Sequence, residues 1–177
     1  ARNLMIDEGF KSDKLYCIYN SLDYDKQLEI RKSLKETDIF TDKFGNNYPV
    51  LCYVGRVQKS KRLDMIIDSM LILKNKYQIQ VNLVIVGKES EKTTIASLVK
   101  KNNLSENVWF YGPCYDEEVL GEIFYNSSIC ISPGNVGLTA IHALTYGCPV
   151  ITHNNFSNQM PEFEAITPGI TGDFFEE

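Results

Sequence analysis

The chain has 177 residues, 44% hydrophobic and 23% charged, the composition of a globular domain large enough for one sizeable core. Eighteen basic residues against 23 acidic ones leave a net charge of −5, and no Lys/Arg cluster stands out, which argues against a nucleic-acid partner read through its phosphates. Five scattered cysteines without CxxC spacing and only two histidines offer no zinc site, and no apolar run approaches the roughly 18 residues of a membrane span.

The sequence opens "ARNLMIDEGF", without an initiator Met and inside a helical pattern, and reads as a piece of something longer. Residues 1–47 are expected to be a lead-in crossing from a neighbouring domain: "KLYCIYNSLDYD" as a strand with a turn, 24–36 as a charged helix, and "TDKFGNNYP" as a loop rich in turn formers. From residue 48 to 177 two periods alternate. Short runs rich in Val and Ile, apolar on both faces, at 50–54, 81–86, 107–111, 128–132 and 149–152 predict buried parallel strands.

Helical patterns separate these runs. The first, 61–76, gathers Leu63, Ile66, Ile67, Met70, Leu71 and Leu73 on one broad face. The second, 90–102, opens at Ser90 and buries Ile95, Leu98 and Val99; the third, 116–125, is capped by Asp116 and buries Val119, Leu120, Ile123 and Phe124. The fourth starts at Gly137, carries Leu138, Ile141 and Leu144 at helical spacing, and stops at Gly147. Strands joined by single helices predict right-handed crossovers and an α/β, Rossmann-like, doubly wound parallel sheet. Cysteines within apolar runs, such as Cys52, Cys130 and Cys148, suit buried thiols in a reducing, cytoplasmic compartment.

Ligands of such sheets sit at the carboxyl ends of the strands, where loops run into helices. Two loops qualify. In "VGRVQKSKRLD", Gly55 allows a sharp turn, and Arg56 and Lys61 stand at the two ends of the loop. In "SPGNVGLTAIHAL", free N–H groups near Gly137, Leu138 and Thr139 and the positive end of a helix face the same crevice. Together they would hold a diphosphate. Taken singly, the first is equally readable as a solvated basic loop and the second as a tight turn; neither is a Walker A or a GxGxxG. Tyr53, Tyr111 and Tyr115 read as packing residues.

The run "IYNSLD" (18–23), "YVGRVQKSKRLDMIID" (53–68), "LVIVG" (83–87), "NVWFYG" (107–112), "SICISPGNVGLTAIHALTYGCPVIT" (128–152) and "GITGDFF" (169–175) resembles, in order and over nearly the whole chain, the carboxyl-terminal half of GT-B glycosyltransferases of family four. The resemblance implies one half of a GT-B enzyme that binds a nucleotide diphosphate sugar and passes the sugar, with retention, to a glycan or lipid-linked acceptor in polysaccharide biosynthesis. It implies no metal and no cofactor, an amino-terminal acceptor domain as partner, and a cytoplasmic location, with association at the inner membrane face through that other half as an alternative. Arg56 and Lys61 match the bases that neutralise the diphosphate. Gly55, Gly134 and the stretch Asn135, Val136, Gly137, Leu138 and Thr139 match the donor loops, and Glu164 matches an acidic residue before the final Gly-x-Thr-Gly.

Two departures stand out. The family carries glutamates at the positions of Gly134 and His142, one reaching the sugar and one the ribose, and both carboxylates are gone here. By this resemblance His142 takes the ribose, and a glutamate restored at 142 is expected to be tolerated; as a lone helical histidine it reads equally as a packed or surface residue. The polar segment 152–166 reads either as a cover for the sugar and acceptor or as a surface loop. A sugar-nucleotide epimerase half and a nucleotide-sugar-binding module without activity are the alternatives. A flavodoxin-like signalling domain lacks the acidic cluster it needs after the first strand.

Overall fold

A computed structural model describes residues 2–90 and 94–176. The five apolar runs become β1 (Val50–Val54), β2 (Asn82–Val86), β3 (Val108–Gly112), β4 (Ile129–Ser132) and β5 (Val150–His153), and "GDFF" adds β6 (Gly172–Phe175). All pair in parallel, in the order β3-β2-β1-β4-β5-β6. The expected Rossmann-like, doubly wound sheet is thus the fold of the chain.

Strand periodicity divides the core in two. Val50 and Cys52 of β1 and Val84 and Val86 of β2 point to one face, where α2 (Tyr24–Ser33), α3 (Ile39–Phe44), α6 (Glu117–Asn126) and α7 (Thr139–Thr145) pack. Leu51, Tyr53, Leu83 and Ile85 point to the other, under α4 (Leu63–Tyr77) and α5 (Ile95–Lys101). Each side chain of β2 is buried, which explains why this strand reads as a continuous apolar run. Cys52, Cys130 and Cys148 lie together in the first cluster, with 4.0 Å between the sulfurs of Cys52 and Cys148, whereas Cys17 is exposed.

The chain winds outward from β1 to β2 and β3, then returns through α6 to β4 on the other side of β1. This reversal opens a crevice at the carboxyl ends of β1 and β4. The register widens it: β1 and β4 pair only at Leu51↔Ile129 and Cys52↔Cys130, so Tyr53–Gly55 and Ile131–Gly134 are free to diverge.

The lead-in departs from expectation. Among the described residues, 15–23 contain no strand; α1 (Arg2–Asp7) and a 3-10 turn (Ser12–Lys14) precede them. Tyr16, Ile18 and Tyr19 are 81%, 89% and 79% exposed, so this segment has no sheet to join. The expected loop at 41–49 instead overlaps α3, because Phe40 is buried against the first cluster and Gly45, in the left-handed region, closes the helix. The helix expected at 24–36 ends at Ser33, and α2 packs on α6 and α7.

In the second predicted helix, α5 begins at Ile95; Ser90 is outside it, and residues 91–93 lie outside the described residues. In the fourth, Ala140 and Ala143 rather than Leu138, Ile141 and Leu144 form the buried face, since small residues let α7 lie close against the sheet. No helix among the described residues is long and apolar enough to cross a membrane.

Candidate functional site

The two loops singled out from the sequence meet. Gly134 N–H donates to the Lys61 carbonyl (3.2 Å), and a Cβ built on Gly134 would run into the Ser60 carbonyl oxygen and stand 2.8 Å from Lys61 Cα. Glycine at 134 is therefore a requirement of contact: the site has no room for any side chain, least of all the glutamate that the resemblance puts there. On the other side of β1, a Cβ on Gly87 would run into the Gly55 carbonyl oxygen, so the β1 and β2 turns nest equally tightly.

Lys61, half-buried, bridges the loops. Its Nζ donates to the Asn135 carbonyl (2.6 Å) and to Asn135 Oδ1 (2.7 Å). Burial, and then the positive charge of Arg56, hold its pKa below the ordinary lysine value. Arg56 is exposed, and its backbone carbonyl is held by the hydroxyl of the buried Tyr53 (2.7 Å), whose own ionisation burial pushes well up. The loop thus carries two positive charges, one exposed and one tied down by hydrogen bonds.

Besides Lys61, two further contacts brace the second loop. Val136, fully buried, donates its N–H to Gln159 Oε1 (2.7 Å), and Gln159 Nε2 donates to Thr152 Oγ1 (2.8 Å) and the His153 carbonyl (2.9 Å). Thr139 Oγ1 donates to the Val54 carbonyl (3.0 Å), tying the start of α7 to the end of β1. The N–H groups of Gly137, Leu138 and Thr139 have no acceptor among the described residues. Gly137 is not needed for room, since a Cβ there would meet only Met160 at 3.9 Å. With seven residues, α7 supplies little macrodipole, so what this end offers a ligand is the free amides themselves.

The segment after β5 is an ordered buttress. It forms two 3-10 turns (Phe156–Asn158 and Pro161–Ala165), pinned by stacking of Phe156 on Phe163 (4.7 Å) and edge contact of Phe156 with Phe174 (5.1 Å). Glu164 is exposed, whereas Glu162 is buried and accepts from Asn20 Nδ2 (2.9 Å), with its other oxygen unpartnered. Glu162, not singled out from the sequence, is thus the carboxylate that the fold covers; two acidic residues two positions apart offer no signal of which one is buried.

His142 turns toward α6. Its Nε2 lies 2.7 Å from Glu117 Oε1, an oxygen that also accepts from Tyr146 OH (2.7 Å) and Gln27 Nε2 (3.0 Å). Burial would raise the Glu117 carboxyl, but hydrogen bonds from Tyr146 and His142 outweigh it and hold the group below its ordinary value. Glu117 was not a sequence candidate: beside the capping Asp116 it reads as ordinary first-turn acidity. Tyr115 is 89% exposed and is not a packing residue. Beyond β2 and β3 lies an apolar cavity of about 270 Å³ between Val57, Gly87, Ile95, Phe110 and Pro113. No group of three His, Cys, Asp or Glu among the described residues is placed to hold a metal ion.

Residues 35–176 match the family described as "Glycosyl transferases group 1". The chain belongs to this family. No curated protein matches the sequence. Among solved structures, the apo lipopolysaccharide outer core galactosyltransferase WaaB matches at 18% identity and TM-score 0.70, over 99% of this chain and 46% of that one. Anabaena HepE in complex with UDP-glucose matches at 16% and 0.71 over 99% and 47%, and a glycosyltransferase from Rickettsia africae at 21% and 0.72 over 94% and 44%. The group 1 chain described here spans less than half the length of these structures.

Proposed function

We propose that the chain is the donor-binding half of a retaining glycosyltransferase that takes its sugar from a nucleoside diphosphate. The observation that carries this reading is the contact of the two crevice loops through Gly134 and Lys61, which brings the loop that carries Arg56 and Lys61 against the loop that carries three unpaired amides. A diphosphate placed there gains charge as the anomeric C–O bond breaks, and fixed donors in a partly dry crevice stabilise that charge without reorganising. Arg56 and Lys61 are the groups proposed to do so, with Gly55, Asn135, Val136, Gly137, Leu138 and Thr139 shaping the donor cradle and His142 meeting the ribose. UDP, seen with Anabaena HepE, is the first ligand to test. The apolar cavity beside Phe110 is where a base on that diphosphate finds a wall.

The boundary at residue 48, the acceptor domain contributed by the amino-terminal part of a longer chain, and a glycan or lipid-linked acceptor belong to the same reading. So does independence from divalent cations. A second reading, a nucleotide-sugar binder without transfer, is favoured by one observation: the packing at Gly134 leaves no place for the sugar-binding carboxylate. Thermal unfolding with uridine, guanosine and adenosine diphosphates, with and without magnesium, tests the donor site. Stabilisation by one diphosphate without magnesium is expected, and no response to any of the three would overturn it.

A further inference from the structure

We propose that Glu117 is a ligand-binding residue of the ribose subsite, and that it and His142 jointly present the two acceptors a vicinal diol requires. This rests on the donor-binding reading above. One oxygen of Glu117 is fixed from three directions: by Gln27 on α2, and by His142 and Tyr146 on α7 and just after it. The imidazole is held as firmly, packed at 4.9 Å from the Phe124 ring and 5.7 Å from that of Tyr146. A carboxylate can only accept, so His142 Nε2 carries the hydrogen and, in the neutral ring, Nδ1 is an acceptor.

Two lone-pair groups are then left over, His142 Nδ1 and Glu117 Oε2. Among the described residues neither makes a hydrogen bond, and neither atom is sealed from solvent, so both are open to a ligand. Their place is also right. α6 starts just beyond β3, α7 just beyond β4, and His142 lies one turn after Thr139, which touches the end of β1. The two acceptors therefore flank the crevice at the carboxyl edge of the sheet. A ribose hanging from a diphosphate in that crevice offers two neighbouring hydroxyl donors. One carboxylate on α7 would meet them with its two oxygens; here the acceptors come from two helices. This arrangement reverses the expectation for a restored glutamate, because a carboxylate at 142 would face Glu117.

Titration calorimetry with UDP and 2′,3′-dideoxyuridine diphosphate, and the guanosine and adenosine pairs in parallel, tests this on the parent, Glu117→Gln, His142→Glu and the double variant. The parent is expected to prefer the ribose form roughly tenfold. Glu117→Gln should abolish that preference while keeping the dideoxy affinity. His142→Glu alone should weaken binding of the ribose form, and combining it with Glu117→Gln should restore the preference, since the amide can donate to the new carboxylate. The double variant also carries the test if Glu117→Gln fails to fold. Glu117→Gln with the parent's preference, His142→Glu binding as the parent does, or a double variant without preference would each overturn the proposal. A parent that binds UDP without preference overturns it and leaves the donor reading intact; a parent that binds no diphosphate overturns both.

Discussion

Replacing Gly134 by alanine adds one methyl group where two loops already touch. The new carbon would stand 2.8 Å from Lys61 Cα and closer still to the Ser60 carbonyl oxygen. Non-bonded carbons rest at about 3.5–4.0 Å, so the loops must part by roughly 1 Å. Both obstacles are backbone, and no side chain can swing away. Overpacking of this kind costs about 1–3 kcal/mol, and for a domain of this size each kcal/mol lowers the melting temperature by about 2–4 °C. A fall of roughly 2–12 °C is therefore expected in calorimetry. The same displacement stretches the 2.6 and 2.7 Å bonds from Lys61 to Asn135 past hydrogen-bonding range, so UDP affinity should fall together with stability. Gly134→Glu, although it recreates the family residue, should be worse than alanine. An unchanged melting temperature and unchanged affinity for Gly134→Ala would refute the loop contact and the cradle built on it.

Lys61→Ala and Arg56→Ala should each weaken UDP binding by about 1.5–3 kcal/mol in titration calorimetry while sparing uridine; equal losses for both ligands would place the phosphates elsewhere. Because Lys61 also ties Asn135, its loss alone should lower the melting temperature. Glu117 has a folded-state pKa below its ordinary value of 4.5, so its contribution to stability is present above that pH and is lost as pH falls through the lower folded value. The melting temperature of Glu117→Gln should accordingly fall less than the parent's on acidification from pH 5, and parallel curves would contradict the assignment. Asn20→Ala strips buried Glu162 of its one hydrogen bond among the described residues and should destabilise the fold by about 1–3 kcal/mol, read from urea unfolding.

Much of this domain was legible because its information is local. Buried parallel strands need apolar residues on both faces, so "VLCYV" and "NLVIV" announce themselves, and the doubly wound rule then points to the loops holding Arg56, Lys61 and Gly134. What was not legible depends on distant partners. Residues 15–19 have strand composition but no neighbouring edge here, and alternation alone cannot supply one. The turn formers Gly45, Asn46 and Asn47 masked α3, whose existence follows from burial of Phe40. The link between His142 and Glu117 spans 25 positions and two helices, and no spacing rule connects them. Nor does any reveal that Gly134 is fixed by contact with Ser60 and Lys61, since absence of a side chain reads the same whether it serves a turn or a seam.

The two-pair register between β1 and β4 makes the sheet a pair of leaves, β3-β2-β1 and β4-β5-β6, joined along a very short spine. Besides that spine, Thr139 bonded to Val54 and Lys61 bonded to Asn135 span the gap near the open end. A ligand that grips Arg56 on one leaf and the amides of residues 137–139 on the other acts as a clasp across the book. Amide exchange in the strands of both leaves should then slow together when the clasp closes, whereas a ligand seated on one leaf would quiet only its own side.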